Sequence, residues 1–125
     1  MSNVTKPTES EYQILQILWD KGPSNVRQVN DIINITKETG YTTTLKLMQI
    51  MSDKGLVKRD TSTRTHIYTA AISQKDTQGE LLSSFLQKTF KGSAMSLVMQ
   101  TLGNHKASKE ELKEIKKLIN QLEKE

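Results

Sequence analysis

Three runs of apolar residues at helical spacing, each closed by a glycine, pass into one short run of strand-like alternation. Few folds accept that order. The first run opens on Thr8-Glu9-Ser10-Glu11, a capping box in which the Thr8 hydroxyl accepts from the N–H three residues on and Glu11 reaches back. Behind it Tyr12, Leu15 and Trp19 fall on one stripe, and Ile14, Ile17 and Leu18 on its neighbour. So wide an apolar surface predicts a mostly buried helix, in which Trp19 belongs to the core. Gly22-Pro23 ends it. Ser24 or Asn25 caps a second helix, with Val26, Val29, Ile32 and Ile33 inward. Gly40 punctuates again, and a third helix is expected from about Thr42 to Lys54, with Gly55 as its C-cap.

The period then changes. Leu56-Val57-Lys58-Arg59 and His66-Ile67-Tyr68-Thr69 are short, partly alternating and joined by the polar turn Asp60-Thr61-Ser62-Thr63-Arg64, which reads as a β-hairpin. Three short helices followed by a hairpin is the order of a winged helix-turn-helix. From Ser73 helical periods return. Leu81, Leu82, Phe85, Leu86 and Phe90 line one helix stopped at Gly92, and Met95, Val98, Met99 and Leu102 line a short one stopped at Gly103. A second capping box, Ser108-Lys109-Glu110-Glu111, opens a last helix striped by Leu112, Ile115, Leu118, Ile119 and Leu122. Three helices of this size enclose little core alone, whereas two copies about a two-fold axis can. The expected fold is therefore mostly α with a small β-hairpin wing: a winged-helix domain over residues 1–72 and a helical dimerisation domain over 73–125.

Composition narrows the function. The hydrophobic fraction of 34% is low for a self-sufficient monomer, and the 26% of charged residues are mixed in sign, unlike a disordered chain. A net charge of +4 suits a nucleic-acid partner. The excess does not locate the site, because residues 1–72 and 73–125 each hold nine Lys/Arg and seven Asp/Glu. The absence of cysteine excludes disulfides, thiolate metal sites and cysteine nucleophiles. A polar start and no stretch approaching roughly 20 apolar residues predict a soluble, cytoplasmic protein.

Local clustering carries more information. On the third helix Thr44, Leu47, Met48 and Met51 share the inward face, which leaves Thr42, Lys46 and Gln49 outward, flanked by Thr43 and Leu45. Lys46 can donate to guanine or a phosphate, Gln49 can pair with adenine, and Leu45 can meet a thymine methyl. Thr42 and Thr43 join free backbone N–H groups at a helix start, where a phosphate binds. An ordinary solvated helix face fits the same wheel equally well. The hairpin adds Lys54, Lys58, Arg59 and Arg64 within eleven residues, against only Asp53 and Asp60. Its Thr61-Ser62-Thr63-Arg64 loop offers hydroxyls and a guanidinium to a phosphate backbone or minor groove.

These residues carry a resemblance. Thr8-Glu9-Ser10-Glu11-Tyr12, Leu18-Trp19 and Gly22-Pro23 look like the opening of the penicillinase-repressor (BlaI/MecI/CopY) family. Tyr41-Thr42-Thr43, Lys54-Gly55-Leu56-Val57-Lys58-Arg59 and Arg64 through Tyr68 resemble its recognition helix and wing; Phe90-Lys91-Gly92-Ser93, Leu97-Val98 and the final capped helix resemble its C-terminal segment. The resemblance implies a homodimeric repressor of resistance or stress genes on palindromic operators. It also implies a membrane sensor metalloprotease, or a protease that it activates, as a partner that relieves repression by cleavage. Classical members are cut at Asn-Phe after Ser-Leu-Val-Leu; here Ser96-Leu97-Val98-Met99 precedes Gln100-Thr101, so the corresponding region is Met99, Gln100, Thr101 and Leu102. The copper-responsive relatives carry a C-terminal cysteine cluster that this chain lacks.

Other constellations point to structure. His66 reads as a wing contact or a solvated strand residue, His105 as a loop residue, and the two lack metal-ligand spacing. Met48, Met51, Met95 and Met99 read as packing, and Glu110, Glu111 and Glu114 as a solvated face paired with Lys113 and Lys117. No enzyme activity, metal or cofactor is expected. Two alternatives to a cleaved repressor remain: a winged-helix protein-interaction module, and a ligand-gated regulator without cleavage.

Overall fold

The computed structural model describes residues 6–104 and 107–125, so His105 lies outside the described residues. In chain order these residues form α1 (Glu9–Lys21), α2 (Val26–Thr36), α3 (Tyr41–Asp53), β1 (Val57–Asp60), β2 (Ile67–Ala70), α4 (Gln74–Phe90), α5 (Ala94–Asn104) and α6 (Lys109–Glu123). This is a mostly helical chain with a two-stranded antiparallel hairpin, the winged-helix arrangement. The chain divides into two compact units between Leu81 and Leu82, a boundary that falls inside α4.

Local chemistry sets the ends of the first three helices. Thr8 and Glu11 form the expected capping box, and Gly22, at φ +81° and ψ −161°, turns the chain out of α1 in a conformation open to glycine. Asn25, rather than Ser24, caps α2, with Gln28 completing a second box. Helix α3 starts at Tyr41, one residue earlier than about Thr42, on an N-cap glycine with no side-chain cap. It closes in a Schellman motif: Leu56 N–H donates to the Met51 carbonyl at 2.9 Å and Gly55 N–H to that of Ser52 at 3.1 Å. Gly55 supplies the positive φ of +81° that this motif requires.

The core of the first unit joins Ile14, Leu15 and Leu18 of α1, Val29 and Ile33 of α2, Met48 and Met51 of α3, and Leu56, Val57 and Tyr68 of the hairpin. Trp19 packs beside it, and its indole N–H donates to the Ile72 carbonyl at 3.0 Å. The hairpin pairs Val57 with Ala70 through Asp60 with Ile67. Sequence reasoning missed a further pairing, in which Ser24 and Tyr68 exchange backbone bonds of 3.0 and 2.8 Å and tie the α1–α2 connection to β2.

Two polar devices brace this unit. Glu11, 2% exposed, receives Lys54 Nζ at 2.7 and 2.9 Å, so the start of α1 is locked to the C-cap of α3. Asn30, 6% exposed, donates through its amide to the Thr39 and Gly40 carbonyls at 3.0 and 3.3 Å and to Thr44 Oγ1 at 2.8 Å. That amide fixes the turn from α2 into α3: it supplies the donor for the buried Thr44 hydroxyl and adds to the bonds that the Thr39 and Gly40 carbonyls receive from Asn34 Nδ2 and the Thr44 N–H.

The second unit, Leu82–Glu125, is built differently. None of its described residues is buried. Phe85 and Phe90 meet edge to face at 5.9 Å. Helix α5 ends at Asn104, one residue past the expected stop at Gly103. The reading of Met95 and Met99 as packing residues fails within the chain, where they are 71% and 65% exposed, since nothing in this unit covers that stripe of α5. Met48 and Met51 are fully buried, as expected. Ser108 and Glu111 form the expected box on α6, whose apolar stripe leaves Leu112, Leu118, Ile119 and Leu122 exposed and Ile115 half-buried. On its polar face Lys117 pairs with Glu114 at 3.7 Å.

Candidate nucleic-acid interface

Burial along α3 separates its two faces. Thr44, Met48 and Met51 are buried, and Leu47 is half-buried against the core, so Thr42, Thr43, Lys46 and Gln49 are turned to solvent. Leu45 is intermediate: it packs against the core and also borders the concavity described below. An uncapped start means that the N–H groups of Tyr41, Thr42 and Thr43 have no carbonyl within α3, and the Thr44 N–H is the first to find one, on Gly40 at 3.3 Å. Free donors, the positive end of the helix dipole and two threonine hydroxyls thus coincide with the exposed face.

The basic residues of the hairpin divide. Lys54 is spent inside the fold on Glu11 and is not free for a ligand, which corrects its inclusion with the wing charges. Lys58 and Arg59 are both exposed on β1, but the pleat sends consecutive residues to opposite faces, so they address different sides of the hairpin. Arg64 is exposed in the turn. That turn is shaped by its own bonds, from Ser62 N–H to Asp60 Oδ1 at 2.9 Å and from Thr63 Oγ1 to the Thr65 carbonyl at 2.6 Å. The bonds from Ser62 hold the Asp60 carboxyl below its ordinary range.

Between the starts of α2 and α3 and the hairpin lies a concavity of about 400 Å³, bordered by Arg27, Tyr41, Leu45, Arg64 and His66 among others. Among the described residues, no acidic one lines it. The Arg27 guanidinium sits 5.0 Å above the centre of the Tyr41 ring. Sequence reasoning placed Tyr41 at the start of the recognition helix by resemblance but gave it no contact, and it left Arg27 out of the site. The Asn25 box was the available signal, since it fixes Arg27 in the first turn of α2.

Two other predicted groups lie in the second unit. Leu112, Ile115, Leu118, Ile119 and Leu122 share the open stripe of α6, and Met99, Gln100, Thr101 and Leu102 are exposed on α5. Among the described residues no cluster of His, Cys, Asp or Glu could hold a metal ion, and no helix is long and apolar enough to cross a membrane.

Comparison with known proteins identifies the family and the fold. The profile of the family described as Penicillinase repressor matches residues 7–121. A penicillinase repressor of Staphylococcus aureus is 24% identical over 92% of this chain and 91% of its own length. The methicillin resistance regulatory protein MecI of Staphylococcus aureus (strain N315) is 23% identical over 96% and 98%. The transcriptional regulator BlaI of Mycobacterium tuberculosis is 29% identical over 54% and 50%. Among solved structures, the DNA binding domain of the repressor BlaI superposes with a TM-score of 0.53, at 18% identity, covering 61% of this chain and 93% of that one, which establishes the shared fold. With nearly its whole length matched by the family profile, the chain belongs to the penicillinase repressor family.

Proposed function

We propose that this protein is a sequence-specific transcriptional repressor that binds palindromic operators as a homodimer. The reading rests above all on the solvent face of α3, where Thr42, Thr43, Lys46 and Gln49 stand beside three unpaired backbone donors and a concavity without acidic groups. Each protomer lays α3 in a major groove. Lys46 and Gln49 read base edges, Leu45 approaches a thymine methyl, Thr42 and Thr43 fix a phosphate, and Lys58, Arg59 and Arg64 engage the backbone or minor groove. Family membership supports the reading, since relatives carry the names of repressors. The family is one of transcriptional repressors, not of enzymes.

Dimerisation follows from the apolar stripe of α6, which a second copy covers, so that half-sites lie about one DNA turn, roughly 10–10.5 base pairs, or a multiple apart. Derepression follows from cutting between Met99 and Leu102, which removes α6 and uncouples the two half-sites. A protease needs an extended substrate, so α5 must open locally; its exposed side chains make that opening cheap. The agent is a membrane sensor metalloprotease or a protease that it activates, and the repressor itself works in the cytoplasm. A fluorescence-anisotropy titration with the DNA upstream of the protein's own gene, against a shuffled duplex, tests the core of this reading. At least a hundredfold preference is expected at physiological salt, and equal affinities would refute sequence-specific repression.

A further inference from the structure

The concavity beside α3 has a composition that the solvent face of the helix does not explain. Two arginines from separate elements border it, Arg27 from the first turn of α2 and Arg64 from the hairpin turn, together with His66. Arginine at an exposed site usually spreads over many rotamers; here the Tyr41 ring beneath Arg27 favours one of them. Tyr41 is the first residue of α3, so the residue that carries this ring also opens the run of free N–H groups at that helix start. Asn25, which also borders the concavity, already uses its side-chain oxygen on the Gln28 N–H, and so it does not compete with a ligand for the arginines.

We infer that this concavity seats one backbone phosphodiester of bound DNA, clamped by Arg27, with the Tyr41 ring as the platform that holds the guanidinium in place. Arg27 is a contact residue, and Tyr41 is a positioning residue that acts through it. A delocalised, planar cation that always carries its charge suits a tetrahedral anion approached from one side. The contact is blind to sequence, because a phosphodiester is the same at every step. It therefore adds affinity for any duplex and fixes the register in which Lys46 and Gln49 meet the bases. This inference rests on the DNA-binding reading above, and its test separates the two.

The experiment is an anisotropy titration of the full chain with a mixed-sequence duplex and with the duplex from upstream of its own gene, over a range of salt concentrations. Arg27→Ala is expected to lose about tenfold on both duplexes, with the slope of log K against log salt shallower by about one. Tyr41→Phe keeps the platform and should match wild type. Tyr41→Ala should share the loss, and the Arg27→Ala/Tyr41→Ala double variant should be no weaker than Arg27→Ala. Arg27 is exposed, and a thermal melt of each variant checks that the fold persists.

Several outcomes overturn the inference. If wild type binds but Arg27→Ala binds equally with the same slope, the clamp is refuted and DNA binding stands; if wild type binds neither duplex, both fail. A Tyr41→Phe loss as large as that of Tyr41→Ala moves the contact to the phenol and refutes the platform. Lys124→Ala, which removes one charge from the end of α6, should leave affinity within about twofold; a loss equal to that of Arg27→Ala would reduce the effect to net charge. A single clamp holds a lone anion only weakly, so inorganic phosphate at up to about 1 mM and constant ionic strength should compete no better with wild type than with Arg27→Ala. Selective competition with wild type would assign the concavity to a free phosphate ligand instead.

Discussion

Replacing Lys54 by methionine would leave the Glu11 carboxylate buried without a countercharge. Glu11 has a side chain only 3% exposed, and Lys54, a quarter exposed, reaches both of its oxygens. Removing one partner of a buried pair costs roughly 3–5 kcal/mol. The lower end applies here, because the Thr8 N–H still donates to Glu11 at 2.9 Å and water reaches the Lys54 side of the pair. Lys54→Met should therefore destabilise by about 3 kcal/mol at pH 7, and at about 4–8 °C per kcal/mol for a small domain Tm falls by some 12–24 °C. Glu11→Gln keeps the capping box, which accepts glutamine as well as glutamate, and should cost only about 1–2 kcal/mol.

The pH dependence follows from the same contacts. Burial pushes the Glu11 carboxyl up, but the bonds from Lys54 and Thr8 together outweigh it and bring the group below its ordinary value of 4.5. A depressed folded-state pKa adds stability above the unfolded value, and that stability is lost as pH falls through the folded one. Without Lys54 the main opposition to burial is gone. The penalty of Lys54→Met should thus be largest near neutrality and shrink as pH falls, first as the carboxyl pushed up by burial in the variant protonates and then as the lowered wild-type carboxyl does. Urea unfolding followed by circular dichroism, at pH 7 and pH 4 and at one fixed protein concentration, measures both quantities. A Lys54→Met variant within about 0.5 kcal/mol of wild type at pH 7, the ordinary spread of surface substitutions, would refute the pairing argument. So would a Glu11→Gln variant that costs as much as Lys54→Met.

Lys46→Ala should change which duplex sequences are preferred, by about 1–3 kcal/mol at the affected base pair, whereas Arg64→Ala should weaken all duplexes alike and flatten the salt dependence; selection from a randomised duplex pool distinguishes the two patterns. Asn30→Ala should lower stability by about 1–3 kcal/mol, because three acceptors lose their shared donor. Asn30→Asp should do worse at neutral pH, since it turns a carboxylate toward the Thr39 and Gly40 carbonyls; equal melting of the two variants would contradict that geometry. Residues 1–100 expressed alone should sediment as a monomer and bind operator more weakly than the full chain. An unchanged dimer would end the cleavage mechanism.

The elements were legible in sequence wherever a short-range rule fixes them. The boxes at Thr8 and Ser108, the glycine ends of α1 and α3 and the inward face of Thr44, Met48 and Met51 each depend on residues within a few positions of one another. Met95 and Met99 misled because spacing identifies an apolar stripe, but not whether the same chain covers it.

Sequence by itself thus determined the order of helices and hairpin, the orientation of α3 and the membership of Thr42, Lys46 and Gln49 in its outer face. Only the tertiary structure decided which charges are available to that face. Lys54 is withdrawn by Glu11, 43 positions earlier in the chain, while Arg27 is brought beside Tyr41 and Arg64 from three separate elements. Helical and strand periods are properties of neighbours in the chain and can be read along it. Pairing between charges depends on distances that exist only once the elements have packed, and so no local pattern records it.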